Sequence, residues 1–588
     1  TSIKEQLALF IRCDIENPSF DSQTKDYMNT PITKFGSSCE ISDKFIEKIA
    51  KMGIMNSACQ ITEIKENKQQ KKTDGTKAKS IRGIPKLIDA NLAGTNKSFE
   101  CSLILCEGDS AKSGIVSGLT KEDRNNIGIY PMKGKILNIR GETVSKIGEN
   151  KEITEIKQIL GLEHNKVYTL DEIKNKLRYG KIIFMTDQDL DGSHIKGLCI
   201  NLFDTGWPSL VKLPNFISFI NTPILKAEKG KEIVQFYNEG EYELWKNQNN
   251  IANWKIKYYK GLGTSTAKEF KEYFENKKIV NFKWEKEACS ENIDKIFNKK
   301  RSDDRKEWLS NYNRNDYLDT NKHEITYEEF INKEFIHYSI YDNSRSIPGV
   351  DGLKTSLRKI LYSAFKKGLT HQKGKEIKVA QFSGYVSEHS GYHHGEASLN
   401  AAIIGLAQDY VGSNNINLFL PNGQFGTRRK GGKDAGSERY IYTQLNSLTR
   451  KIYRPEDDQI LDYINDDGDI VEPRFYVPII PMILINGSKG IGTGFSTEVL
   501  SYNILKIIEK LNLKLNNQKD EINLIPYYNN FNGTIEEVFS EKGKKYLIKG
   551  IFKKISSNKI SITELPIGTW TEDYKAYIDS LIDKKKEN

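Results

Sequence analysis

Apolar residues recur at two different periods along this chain, and the switches between them mark its elements. In the first half, Ser102-Leu-Ile-Leu-Cys106 reads as a strand and runs into Glu107-Gly-Asp-Ser-Ala and a helical pattern. Lys181-Ile-Ile-Phe-Met185 is a second strand, followed by Thr186-Asp-Gln-Asp-Leu-Asp-Gly192 and a helical stretch, His194 to Phe203. Strand, acidic turn and helix, twice over, predict an α/β sheet of parallel strands, with carboxylates at the strand ends where such sheets place active sites. Residues 1–60 give a short helical pattern, a turn at Asn17–Pro18 and a helix through Ser42–Lys51, and Lys65 to Lys79 reads as a lysine-rich linker. Downstream, 268–277 and 327–335 look helical, and Leu353, Leu357, Ile360 and Ala364 mark a helix over 352–367. Val379, Phe382 and Val386 give another, broken at Ser390–Gly395, and Leu399, Ile403, Leu406 and Tyr410 a third, a helix-turn-helix arrangement. From Ser501 the chain is rich in Asn, Ile and Lys, with alternating strands at 545–549 and 559–563, and no internal repeat is visible.

The 588 residues suggest about four domains. Hydrophobic residues at 37% and 44 glycines are enough for several cores, and no run approaches the length of a membrane helix. No signal-peptide pattern opens the chain, and seven scattered cysteines without a CxxC pair argue against a disulfide framework or a thiolate zinc site, so an intracellular protein is expected. A net charge of +10 permits a polyanionic partner. The distribution is more telling. Seven of sixteen arginines (Arg345, Arg358, Arg428, Arg429, Arg439, Arg450, Arg454) fall within about a fifth of the chain, and arginine suits bidentate phosphate contacts.

Asp187, Asp189 and Asp191 alternate before Gly192, yet an EF-hand would need Glu where Leu198 stands, and a strand leads in. With Glu107 ending another strand, three or four oxygen ligands without His or Cys suit Mg²⁺ at a phosphoryl-transfer site, the rival being a solvated acidic turn. His393 and His394 do not fit a zinc pattern and stand before a helix start, where a phosphate could sit or where they could simply fill a turn. Thr427 to Tyr440 is basic and glycine-rich but fails as a P-loop at both ends. It closes on Arg439-Tyr440, chemically a nucleophile beside a charge stabiliser, although spacing alone does not single out one of 29 tyrosines. In Gly487-Ser-Lys-Gly-Ile-Gly-Thr-Gly494 the bulky Ile491 stands on a glycine-rich turn, fit to wedge between base pairs or to make a plain tight turn.

Together these stretches resemble one family, the eukaryotic-type DNA topoisomerase II. The resemblance is carried by Glu16–Lys25, Glu107-Gly-Asp-Ser-Ala-Lys112, Pro131–Asn138, Met185–His194, Tyr259–Ser265, Asp351-Gly-Leu-Lys354, Tyr392-His-His-Gly-Glu396, Gln424–Arg428, Arg439-Tyr440 and Ile491–Gly494, in family order, continued by Ile562–Pro566. It implies a Toprim domain with Glu107, Asp187, Asp189 and Asp191 as Mg²⁺ ligands, Mn²⁺ or Ca²⁺ substituting for binding. It implies a winged-helix domain with Tyr440 as nucleophile and Arg439, His394 and His393 at the scissile phosphate. Lys133, Lys135, Arg345, Lys354, Arg358, Arg428 and Ile491 match DNA-binding positions. The implied partners are double-stranded DNA and a second copy of the chain, the Toprim site of each copy serving the tyrosine of the other. The location implied is the nucleus for a cellular source, and a cytoplasmic replication site or the host nucleus for a large DNA virus.

By the same resemblance the domains are 1–60, the end of a transducer segment; 61–98, a lysine-rich linker; 99–330, Toprim with its insert; 331–500, winged helix; and 501–588, a truncated α/β tower. The ATPase and the exit gate are then expected outside this sequence, with ATP used only by the full-length enzyme. Three departures stand out: a loop before Asp351 that looks one residue short, Thr355-Ser356-Leu357 where the family carries Pro-Gly-Gln, and Lys133 where many members have Arg. A Toprim-type nuclease or primase and a non-catalytic DNA-binding fragment remain as alternatives.

Overall fold

A computed structural model describes residues 3–586 except 4–6, 9–11, 13, 23, 32–33, 37–39, 277, 467–468, 520–521 and 541–542. The helical pattern expected at the start of the chain falls largely outside the described residues. The chain divides into two compact units, residues 1–299 with 317–332, and residues 300–316 with 333–588. Among the described residues, no helix is long and apolar enough to cross a membrane.

The first unit is built on a six-stranded sheet. Its strands are β1 (Ser102–Glu107), β2 (Ile127–Met132), β3 (Lys181–Met185), β4 (Ile217–Ile220), β8 (Ile279–Lys283) and β9 (Glu324–Thr326), in the spatial order β2-β1-β3-β4-β8-β9. β1 pairs in parallel with β2 and β3, and β3 with β4, as the repeated strand–turn–helix pattern predicts. β8 enters antiparallel to β4, so the sheet is mixed. The central strands are buried on both faces, which is why they read as unbroken apolar runs. One face packs Ile104, Ile129, Ile183 and Met185 against Ile115, Phe270 and Phe274. Between β4 and β8 in the chain come β5 (Leu225–Lys229), β6 (Glu232–Phe236) and β7 (Lys255–Tyr258), a small sheet in the order β6-β5-β7 with its own aromatic cluster. Ahead of the main sheet, Ser42 caps the helix Asp43–Lys51, and Ile54–Lys71 is helical. The expected linker therefore begins as helix.

The second unit sets the helix Ile336–Ser346 against Thr355–Lys366, and packs Thr355–Lys366, Val379–Ser390 and Glu396–Ala407 around Leu361, Phe382, Val386, Leu399 and Ile403. Against them lie β10 (Ile377–Lys378), β11 (Phe419–Asn422) and β12 (Tyr442–Leu445), a three-stranded sheet with β12 in the middle. The helices Val379–Ser390 and Glu396–Ala407 start where the sequence pattern places them, the turn at 391–395 opening with Gly391 in the left-handed region, but the second ends at Ala407, short of Tyr410. Hairpins β13–β14 (Tyr463–Asp466, Asp469–Pro473) and β15–β16 (Ser488–Ile491, Ser496–Val499) follow. A helix, Ile504–Leu515, precedes the hairpins β17–β18 (Thr534–Ser540, Gly543–Lys549) and β19–β20 (Ile551–Ser556, Lys559–Glu564) and the helix Thr571–Lys586.

Candidate active site

In the first unit the two strand ends deliver their carboxylates to one place. Glu107 closes β1, and burial together with the charges of Asp187, Asp189 and Asp191 pushes its pKa up to about 7. Its Oε2 is buried without a hydrogen-bond partner. Asp187, just past β3, is raised to about 6 by burial and, less strongly, by Asp189, while a hydrogen bond from Leu262 N–H at 2.7 Å works the other way. Asp189 caps the helix Leu190–Gly206, its Oδ1 accepting from Gly192 N–H at 2.6 Å. Asp191, in the first turn of that helix, ion-pairs with Lys135 at 2.6 Å.

Glu107 and Asp187 thus stand where their charge is disfavoured, with one Glu107 acceptor left over, and oxygen donors of this kind suit a divalent cation, although among the described residues no three His, Cys, Asp or Glu side chains are gathered to hold one as they stand.

The loop that holds Asp187 has its own support. Gly261 adopts φ +133, and a Cβ there would collide with Asp187 Oδ2, so only glycine admits the carboxylate. Glu269 ties both ends of the loop together. It accepts from Lys257 Nζ at 2.8 Å, Tyr259 OH at 2.6 Å and Thr266 N–H at 2.7 Å, bonds that hold its pKa down at about 2 against the cost of burial. The glycine-rich Tyr259–Ser265 stretch was visible in the sequence, but Glu269, outside it, carried no signal of this role.

In the second unit Tyr440 stands just before β12, 74% exposed, with the Arg439 guanidinium 5.7 Å from its ring centre. Its neighbours are pinned: the carbonyls of Glu438 and Ile441 accept from Ala380 and Val379 N–H, both at 3.0 Å. The free amides at the start of the helix Val379–Ser390 thereby fix the tyrosine loop. The far end of the same helix leads into the turn bearing His393 and His394, both exposed, with the His394 ring edge-on to Tyr392 at 5.4 Å.

The basic residues separate into groups. Lys133 is exposed, and its backbone N–H donates to Glu152. Arg345 lies against the Tyr341 ring at 4.8 Å, and Lys354 immediately precedes the helix Thr355–Lys366. Ile491 is 70% exposed at the tip of the β15–β16 hairpin, where a wedge would have to be. Arg358 is a correction to the DNA-binding expectation: it is buried, donating from Nε and Nη2 to the fully buried Asp351 at 2.8 and 3.0 Å. A guanidinium neutralised inside the core does not reach a phosphate. Arg428 is likewise committed, to Glu564 and to the Leu565 carbonyl at 2.6 Å.

Family models match along nearly the whole chain: "DNA gyrase B" at residues 1–81, "Toprim domain" at 102–221, "C-terminal associated domain of TOPRIM" at 219–343 and the A-type polypeptide of "DNA gyrase/topoisomerase IV" at 345–588. DNA topoisomerase 2 of Arabidopsis thaliana is 48% identical over 99% of this chain, and that of Saccharomyces cerevisiae 47% over 98%. The chain spans 39% and 40% of those relatives' lengths. A crystal structure of the Plasmodium falciparum topoisomerase II DNA-binding, cleavage and re-ligation domain is 47% identical, with a TM-score of 0.70 over 87% of this chain and 69% of that one. With its parallel-stranded Toprim sheet followed by a topoisomerase A-type unit, the chain belongs to the eukaryotic-type DNA topoisomerase 2 family.

Proposed function

We propose that this chain is the DNA cleavage and resealing core of a type II topoisomerase. Tyr440 attacks a backbone phosphorus of duplex DNA. A bond forms between its phenolic oxygen and phosphorus while the bond to the 3′ oxygen breaks. The phenol loses its proton, the 3′ oxygen gains one, and the strand stays attached through its 5′ phosphate until the reverse step reseals it. Arg439, beside the ring, offsets charge developing on the phosphate, and His394 and His393 stand at a helix start that favours phosphate oxygens. Glu107, Asp187, Asp189 and Asp191 would hold Mg²⁺, which when bound supplies charge neutralisation at the reacting oxygens. Lys133, Lys135, Arg345 and Lys354 contribute DNA contacts, and Ile491 wedges the duplex.

The working unit is a homodimer in which each tyrosine is served by the partner's carboxylates. In the longer protein the cut duplex passes a second one with ATP, in the nucleus. The carrying observation is Tyr440 itself, exposed beside an arginine on a backbone bonded on both flanks. A labelled duplex denatured with detergent after incubation tests it: a covalent protein–DNA band should form in Mg²⁺ and vanish with chelator. Metal-dependent cutting without that band would favour a Toprim nuclease, and binding without cutting a non-catalytic fragment.

A further inference from the structure

Three cations of the basic segment leading to the tyrosine, Arg428, Arg429 and Lys430, are paired within the same unit. Arg428 pairs with the buried Glu564 and with the Leu565 carbonyl. Arg429 Nε and Lys430 Nζ share the Glu572 carboxylate at 2.9 and 3.4 Å, and Glu572 N–H returns a bond to the Arg429 carbonyl at 3.1 Å. Between these ties Gly431 lies on the Trp570 indole at φ +61, where a Cβ would run into the ring at Cε2. Trp570 is itself braced edge-on by Tyr410 at 5.8 Å. Beyond the contact the loop is closed by Asp434, which accepts from Thr427 N–H at 2.8 Å and its hydroxyl at 2.6 Å, and by the pairing of Phe425 with Ala435. From there the chain runs to Glu438 and Ile441, bonded to the helix Val379–Ser390.

Arg428, and Arg429 with its side chain still 72% exposed, hold a distant strip of the same unit. We propose that residues 564–572 are a clamp that positions the Tyr440 loop, with Glu564, Trp570 and Glu572 as positioning residues, so that movement of this strip shifts the nucleophile in or out of line. The pieces are unequal. The Arg428–Glu564 pair is largely buried, so removing one charge strands the other, whereas the exposed Arg429–Glu572 pair adds little alone. The indole against a bare glycine sets the spacing. The proposal rests on Tyr440 being the nucleophile.

The test uses the full chain and a fluorescent duplex, measuring DNA affinity by anisotropy and the single-turnover rate of covalent adduct formation. Trp570→Ala and Glu564→Gln should each slow adduct formation about 10- to 100-fold, as expected of a misplaced reacting group, with DNA affinity held within about twofold. Trp570→Phe, which keeps a ring on Gly431, should recover most of the rate. Unchanged rates, affinity falling in step with rate, or no recovery in Trp570→Phe would overturn the clamp. If Trp570→Ala melts below the assay temperature, Glu564→Gln decides by the same two readouts. Wild-type adduct and its loss in Tyr440→Phe serve as controls: a wild type that forms no adduct would count against the nucleophile, not the clamp.

Discussion

Replacing Arg358 with Met separates a core cation from a DNA-binding one. Asp351 is fully buried and its carboxylate accepts four bonds: Arg358 Nε at 2.8 Å and Nη2 at 3.0 Å, and the Leu353 and Tyr476 N–H groups, each at 3.0 Å. Arg358→Met keeps the volume but leaves that carboxylate with two amides and no counter-charge. Breaking one side of a buried pair costs about 3–5 kcal/mol, and the surviving amides place this case at about 3–4. In a unit of this size each kcal/mol lowers the melting temperature by about 2 °C, giving a drop of roughly 6–8 °C. Thermal melting and DNA anisotropy on the same preparation should show that drop with affinity for DNA nearly unchanged below the transition. Asp351→Asn should also destabilise, because it strands the guanidinium. Unaltered melting with weakened DNA binding in Arg358→Met would refute the buried pair.

Asp189→Asn should preserve melting, since Asn also caps helices, while removing most Mg²⁺-supported cleavage; full cleavage in that variant would remove Asp189 from the metal site. Gly261→Ala should abolish cleavage with DNA binding intact, because its methyl group would displace Asp187, and normal rates would show that the loop yields. Glu269, depressed from 4.5 to about 2, contributes stability that is complete above about pH 4.5 and is lost as pH falls toward 2. Glu269→Gln should therefore melt lower at pH 7 and show a flatter acid limb, and parallel acid limbs would assign the sensitivity elsewhere. Ile491→Ala should reduce the bend of an end-labelled duplex measured by energy transfer, since unstacking one step is worth a few kcal/mol, and an unchanged bend would leave the hairpin tip structural.

Much of this was legible because the decisive signals are local. β3 is a run of apolar residues buried on the sheet's two faces, and the carboxylates follow it within a few positions. Val379, Phe382 and Val386 line one helix face, ended by a glycine in the left-handed region. What was missed depends on distance or on competing signals. Ile54–Lys71 is polar on most sides and lysine-rich at its end, yet it lacks glycine and proline and its Lys, Gln and Glu residues favour helix, so it coils where a linker is expected. Ile504–Leu515 was hidden in an Asn/Lys/Ile-rich region, although Asn503 caps it and Ile507 anchors it. The antiparallel entry of β8 and the Glu269 clamp are tertiary facts. Arg358 misled for the same reason: its charge is visible in sequence, and its burial on Asp351 and the Leu353 carbonyl is not.

The central claim is that Tyr440, and no other side chain, takes the phosphate. Adducts trapped in Mg²⁺, trimmed by nuclease and digested by protease should yield a single nucleotide-bearing peptide containing Tyr440, with the mass on its phenolic oxygen. Tyr440→Phe should yield none while binding DNA as well as the wild type, and Tyr442→Phe should still form the adduct. A nucleotide found on Tyr442, or an adduct surviving in Tyr440→Phe, would contradict the account.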